Sequence, residues 1–188
     1  MTPEEIASLL APLTALQRLL ACFNDRGIVI GGVAASLLGK PRLTADVDAV
    51  ILLSVDDLPR LIQAAKDEGL VPRIADAEDF AGRNRVLLLR HEASGINVDI
   101  SLGILPFEIE AVERSVVYQA GPLGIRLPTS EDLIIFKAVA HRPKDLLDIQ
   151  AIIASHPKLD RERIKYWVGE FVKVLEMPEL WDDIAAWL

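Results

Sequence analysis

The chain carries Asp46-Val47-Asp48 at the head of an otherwise apolar run, Ala49-Val50-Ile51-Leu52-Leu53. A run of this length and composition predicts a buried strand over residues 46–53. Side chains alternate across a strand, so Asp46 and Asp48 share one face while Val47 and Ala49 share the other. The sheet that holds this strand is thereby constrained on both sides. One face belongs to a core, and the other must be open or must supply a partner for two like charges. Burial without a counter-charge raises at least one carboxyl pKa, whereas a divalent cation turns the repulsion into attraction. Two solvated aspartates at an exposed strand start are the plainer alternative.

Two further stretches favour the cation. Ile28-Val29-Ile30 reads as a short buried strand running into Gly31-Gly32, followed by a short helix over residues 33–38 that Gly39 and Pro41 end. Without Cβ atoms, the glycine pair lets phosphate oxygens come close to the backbone N–H groups at that helix start. Downstream, residues 83–90 and 96–102 flank Ala93-Ser94-Gly95 as a hairpin, and Asp99 interrupts the alternation of its second strand. Asp99 is thus a candidate third oxygen ligand. A phosphate cradle, then paired carboxylates, then a lone carboxylate is the set of parts that metal-assisted phosphoryl transfer requires.

The rest of the chain divides in two. Residues 3–24 place Ile6, Leu9, Leu13, Leu16, Leu20 and Phe23 at helical spacing, and Pro12 predicts a break or kink within them. Ser54 or Asp56 caps a helix through Leu58, Leu61 and Ala65 to Gly69, and residues 72–82 are polar and read as a loop. A short helix at 107–114 and strands at 116–119 and 125–127 follow. Thr129-Ser130-Glu131-Asp132 has the capping-box form, and Pro143 suits the first position of another helix, after which the pattern stays helical. The expectation is an α/β (α+β) chain in which residues 1–128 form a mixed front and residues 129–188 a helical region packed on it. Phe171, Trp167, Trp181 and Trp187 fall in that region and read as packing residues.

Composition removes several alternatives. With 188 residues, 51% of them hydrophobic, the chain can bury a core. A net charge of −8 argues against wrapping nucleic acid through a broad basic face, though not against a local basic site beside a metal. No apolar run approaches the roughly 20 residues of a membrane span. Glu4 and Glu5 stand where a leader peptide carries positive charge, so the expectation is a cytoplasmic protein with no membrane partner. The single cysteine, Cys22, reads as a buried, inert thiol. There is no Walker A loop, no Gly-x-Gly-x-x-Gly and no nucleophile elbow.

Gly31-Gly32, thirteen residues, Asp46-Val47-Asp48 and then Asp99 form one set of motifs; Pro128 to Leu133, Lys137, and His141 to Ile149 form a second. Through them residues 25–155 resemble the DNA polymerase β-like nucleotidyltransferase superfamily, and more narrowly its bacterial AbiEii/AbiGii-toxin-like and minimal members. The resemblance implies a nucleotidyltransferase fold, a small mixed sheet flanked by helices with a C-terminal helical region. It implies transfer of a nucleoside monophosphate from an NTP substrate such as ATP to a hydroxyl of RNA, protein or a small molecule. Two Mg²⁺, or Mn²⁺, would be held by Asp46, Asp48 and Asp99 as the catalytic and metal residues. Gly31, Gly32, Lys137 and Asp148 would serve the nucleotide, with Ser36, Arg42 and Thr44 as further nucleotide-side candidates. A toxin of a toxin–antitoxin pair is one implied setting, and an antitoxin its partner. Two other readings compete: a nucleotide-binding or partner-binding module of the same fold without turnover, and a nucleotide-sugar transferase, against which the short chain and early glycine pair argue.

Overall fold

The computed structural model describes residues 3–121 and 123–188. Helix α1, Pro3–Ala21, opens the chain and runs unbroken through Pro12, where the sequence predicts a break. Leu9, Leu13, Leu16 and Leu20 form one buried stripe on both sides of the proline. Burying that stripe outweighs the backbone hydrogen bond that proline cannot make. The side chains of Glu4, Glu5 and Ile6, used in the sequence reading, lie outside the described residues. Cys22 is exposed rather than buried. The helix ends one residue earlier and the chain turns through Asn24 and Asp25, both at positive φ, so that Phe23 alone of this turn points into the core.

Strand β1 (Gly27–Ile30), helix α2 (Gly31–Leu38) and strand β2 (Asp46–Ile51) follow directly. Ser54 caps a short 3-10 turn through its hydroxyl, and α3 (Leu58–Asp67) continues from it. The polar stretch expected to be a loop instead contains the end of β3 (Leu70–Pro72) and helix α4 (Ala77–Asn84). Only Ala77 and Ala81 of α4 are buried, and an alanine pair one turn apart in a polar background leaves almost no periodic signal. Strands β4 (Val86–His91) and β5 (Asn97–Leu102) form the expected hairpin, with α5 (Pro106–Glu113) after it.

These strands make one five-stranded mixed sheet in the order β1-β2-β5-β4-β3. Strand β2 is antiparallel to β1 and parallel to β5, while β5-β4 and β4-β3 are antiparallel. The register sorts the side chains into two faces. Val29, Val47, Ala49, Val98, Ile100, Leu87 and Leu89 share one face and are buried. Ile30, Asp46, Asp48, Asp99, Ser101, Val86 and Leu88 share the other. Strands β6 (Val116–Ala120) and β7 (Leu123–Leu127) form a separate two-stranded sheet, and β7 packs near β1 and α1.

The helical region comprises α6 (Ser130–Ala140), α7 (Pro143–Ser155), α8 (Arg161–Leu175) and α9 (Glu179–Ala185). Thr129 caps α6 by accepting from the Asp132 N–H, as the sequence motif requires. Phe107 of α5 joins this region to the front. Its ring centroid lies 4.8 Å from Phe136, 5.5 Å from Trp167 and 5.8 Å from Phe171. These aromatics are therefore packing residues, with tilted and edge contacts of the stabilising kind. Among the described residues, no helix is long and apolar enough to cross a membrane.

Candidate active site

Register brings the acidic residues together. Asp48 of β2 stands abreast of Ile30 on β1 and of Asp99 on β5, and Asp46 pairs with Asn97 one step along. Parallel pairing with Asp48 opposite Asp99 puts both carboxylates on the same face, with Asp46 beside them. Where β1 passes directly into α2, Gly31 adopts φ +65°, and a Cβ there would lie 1.9 Å from Asp48 Oδ2. A Cβ on Gly32 would lie 2.3 Å from Thr44 Oγ1. The glycine pair thus has a structural reason besides any ligand, since it makes room for the Asp48 carboxylate and the Thr44 hydroxyl. Gly31→Ala combines a left-handed backbone with displacement of that carboxylate. It is expected to cost roughly 2 kcal/mol, read as a shift of the urea midpoint with unchanged m value; a change below a few tenths of a kcal/mol would show that the strand–helix junction relaxes freely.

Each carboxylate has a different environment. The Thr44 hydroxyl donates to Asp46 Oδ1 at 3.1 Å. Arg73, just beyond β3, reaches across β4 and pairs with Asp99 through both terminal nitrogens, the Nη2–Oδ2 distance being 3.0 Å. Asp48 forms no ion pair among the described residues. Burial, followed by the like charges of Asp46 and Asp99, pushes its carboxyl above the usual aspartate range, against the opposing pull of Arg142 and Lys144.

A divalent cation fits part of this arrangement. Carboxylate oxygens are the hard donors that Mg²⁺ and Mn²⁺ prefer, and the crowded, half-desolvated Asp48 lacks a positive partner. Asp46 and Asp48 are the residues that would hold such an ion. Among the described residues, however, no three His, Cys, Asp or Glu side chains form a group able to hold one. Asp99 stands at the right register, but both of its oxygens accept hydrogen bonds from Arg73.

The opposite wall is cationic and comes from the α6–α7 junction. His141, at φ +50°, ends α6, and Pro143 starts α7 one residue after Arg142. This tight turn places Lys137, on the last turn of α6, against Asp145 and Asp148 on the first turns of α7. Lys137 Nζ lies 3.0 Å from Asp145 Oδ1 and 2.7 Å from Asp148 Oδ2, with the lysine only 3% exposed. Arg142 Nε donates to Asp145 at 2.6 Å, and the same carboxylate accepts from the Arg142 N–H. Arg42 closes the chain of pairs from the other side, its Nε and Nη2 donating to the two oxygens of Asp148 at 2.7 and 2.8 Å. Burial alone would push the Asp145 and Asp148 carboxyls up. Hydrogen bonds from Arg142 and Lys137 to the first, and from Arg42 and Lys137 to the second, overcome it and hold both below the usual range.

A cavity of about 220 Å³ separates the two walls, lined by Gly31, Asp48, Asp99, Lys137, Arg142 and Asp145 among others. Of the residues singled out from sequence, Gly31, Asp48, Asp99 and Lys137 line it. Ser36 is buried, and its hydroxyl donates to the Arg42 carbonyl at 3.0 Å, fastening the 39–45 loop. Arg42 and Asp148 are engaged with each other and Thr44 with Asp46, and none of Gly32, Ser36, Arg42, Thr44, Asp46 and Asp148 lines the cavity.

No protein-family model and no curated protein matches the sequence. Solved structures do match. The antibiotic-resistance factor ANT(2'')-Ia aligns over 88% of this chain and 93% of its own, with 14% identity and a TM-score of 0.53. An antigenic nucleotidyltransferase-like protein from Paracoccidioides brasiliensis aligns over 99% of this chain and 94% of its own, with 17% identity and a TM-score of 0.52. The chain has the nucleotidyltransferase fold. Within that fold, sequence reasoning missed Arg73, Asp145 and the pairing role of Arg142. Asp145 and Arg142 were visible as part of the His141–Ile149 motif, and their contact is local. Arg73 lay in a stretch read as loop, 26 residues from its partner, with no local signal joining the two.

Proposed function

We propose that this protein is a metal-dependent nucleotidyltransferase that moves a nucleoside monophosphate from an NTP to a hydroxyl of RNA, protein or a small molecule. The observation that carries the reading is one cavity, on a nucleotidyltransferase fold, walled by Asp48 and Asp99 abreast on one side and by Lys137 and Arg142 on the other. Mg²⁺ or Mn²⁺ at Asp46 and Asp48 would supply charge neutralisation at the phosphates and polarise the reacting phosphorus; the sequence resemblance supports two such ions.

The chain's own residues bind and orient. Lys137 has three N–H donors, of which Asp145 and Asp148 take two, leaving one for a phosphate oxygen in the cavity. Arg42, Lys137 and Arg142 against Asp145 and Asp148 leave that wall one positive charge in excess, which suits an anionic substrate. In the transfer, the acceptor oxygen bonds to the α-phosphorus as the bond to pyrophosphate breaks, and the hydroxyl proton leaves to solvent or a carboxylate. Positioning and charge neutralisation suffice, so no protein nucleophile is needed.

The likeness of residues 128–149 to later motifs of AbiEii/AbiGii-type toxins supports a cytoplasmic toxin with an antitoxin partner as the setting. The fold shared with an antibiotic-resistance factor supports a small-molecule acceptor instead. A binding module without turnover is the second reading, favoured by Arg73 on the third carboxylate. Incubation of the purified protein with each labelled NTP, Mg²⁺ and either total RNA, lysate protein or an aminoglycoside decides among them. Label in one acceptor class with release of pyrophosphate is expected. No pyrophosphate with any NTP, despite a thermal shift on adding Mg²⁺ and nucleotide, would leave the binding module.

A further inference from the structure

We infer that Arg73 is a positioning residue that withholds Asp99 from the metal site, so that the resting protein binds a single divalent cation through Asp46 and Asp48. The inference rests on the nucleotidyl-transfer reading of this cavity and adds a metal stoichiometry and a control residue to it. Three observations converge. Arg73 engages both oxygens of Asp99, in the bidentate geometry that an arginine forms best with a carboxylate. Its backbone is anchored where it stands, the N–H donating to the Leu88 carbonyl at 3.1 Å, directly beside the Leu88–Asp99 pair of the β4–β5 ladder. Finally, three carboxylates and one guanidinium sum to −2, the charge that one divalent ion neutralises, whereas the carboxylates alone would sum to −3.

The three aspartates share one face, yet among the described residues they form no three-membered metal-binding group, and Arg73 competes for the third of them. The guanidinium takes one lone pair of each Asp99 oxygen and offsets the carboxylate's charge, which weakens its pull on a cation. For Asp99 to bind a cation with its full charge, Arg73 must let go. The Arg73 guanidinium also donates to the Leu89 carbonyl at 3.4 Å, yet Arg73 is 25% and Asp99 28% exposed at the side chain, so water can replace the pair without burying a bare charge. Arg73 therefore sets whether the site has two carboxylate ligands or three.

Mn²⁺ titration of the full-length protein tests this, with bound ion counted by calorimetry and by loss of the free Mn²⁺ electron-spin signal. Wild type is expected to bind one ion, with Asp48→Asn abolishing binding and Asp99→Asn changing affinity less than about twofold. Arg73→Gln frees Asp99, and gain of a charged ligand is expected to tighten Mn²⁺ on the order of tenfold or admit a second ion. Arg73→Lys, which keeps the charge but loses the fork, should fall between. In Arg73→Gln/Asp99→Asn the gain should disappear, a coupling that a merely structural arginine would not show. If Asp99→Asn weakens wild-type binding as strongly as Asp48→Asn does, or if Arg73→Gln folds and binds no tighter, the inference is wrong while the nucleotidyl-transfer reading stands. Absence of Mn²⁺ binding by wild type with and without nucleotide overturns both. Should Arg73→Gln fail to fold, the Asp99→Asn and Arg73→Lys results decide alone.

Discussion

Asp48→Asn is expected to lower nucleotidyl transfer by about 10³-fold or more while raising the melting temperature at pH 7. The two effects have one cause. Asp48 is held half-buried beside Asp46 and Asp99, so its carboxyl sits above the usual range in the folded protein. A carboxyl whose pKa rises on folding binds its proton more tightly in the native than in the unfolded state. Ionisation therefore penalises the fold: not at all below the ordinary aspartate value, increasingly through the window up to the raised value, and fully above it. Asparagine removes that penalty, so the gain in stability should be present at pH 7 and vanish as the solution is acidified below the ordinary value. Differential scanning calorimetry across this range checks the sign. Mg²⁺ with an NTP should raise the melting temperature of wild type and not of the variant, by ligand linkage. A variant less stable at pH 7, or one that transfers at the wild-type rate, would remove Asp48 from the centre of the site.

Asp148→Ala is expected to be the most destabilising single change in the cationic wall, by about 3–5 kcal/mol, or a fall in melting temperature on the order of 10 °C for a chain of this size. The carboxylate is 6% exposed and is shared by Arg42 and the almost fully buried Lys137. Its loss leaves a buried ammonium with one partner fewer and a guanidinium with none of its fork. Lys137→Met provides the contrast. Removing the lysine leaves Asp145 with Arg142 and Asp148 with Arg42, so the stability loss should be markedly smaller while the KM for NTP rises. The pH sign here is opposite to that of Asp48. With folded pKa values depressed, Asp145 and Asp148 stabilise above the ordinary carboxylate range, and that contribution is lost as pH falls through the depressed values. Asp148→Ala should thus show a shallower acid limb than wild type. An unfolding free energy within 1 kcal/mol of wild type would mean that water reaches Lys137 and replaces the carboxylate.

Elements with strong periodicity and clear stops were legible in the sequence: β1 into Gly31, β2 from Asp46, the β4–β5 hairpin, α6 from its Thr129 cap and α7 from Pro143. Helix α4 was not, because it buries only two alanines, and β3 was not, because three residues at a sheet edge carry no alternation. Pro12 misled for the opposite reason, a local rule overridden by the burial of a leucine stripe that only the assembled core supplies. Cys22 sat in an apolar helical pattern, yet the turn after Ala21 exposes it.

At the site the same division holds. Alternation along β2 alone puts Asp46 and Asp48 on one face, since a strand's period of two is a local property of the backbone. Gly31 was marked by the absence of a side chain, but its neighbour was not: the atom that fills the missing Cβ position belongs to Asp48, seventeen residues later. That Asp99 stands beside Asp48 was decided by the parallel β2–β5 register, and that its oxygens go to Arg73 was decided by β3 docking at the far side of β4. Likewise Lys137, Arg42 and Asp148 are spread over more than a hundred residues, and only the packing of α2 against α6 and α7 makes one ion-pair network of them. Faces of strands and caps of helices follow from neighbours in sequence. Which charge meets which follows from the core, because burying apolar surface chooses the register and the charges are carried along with it.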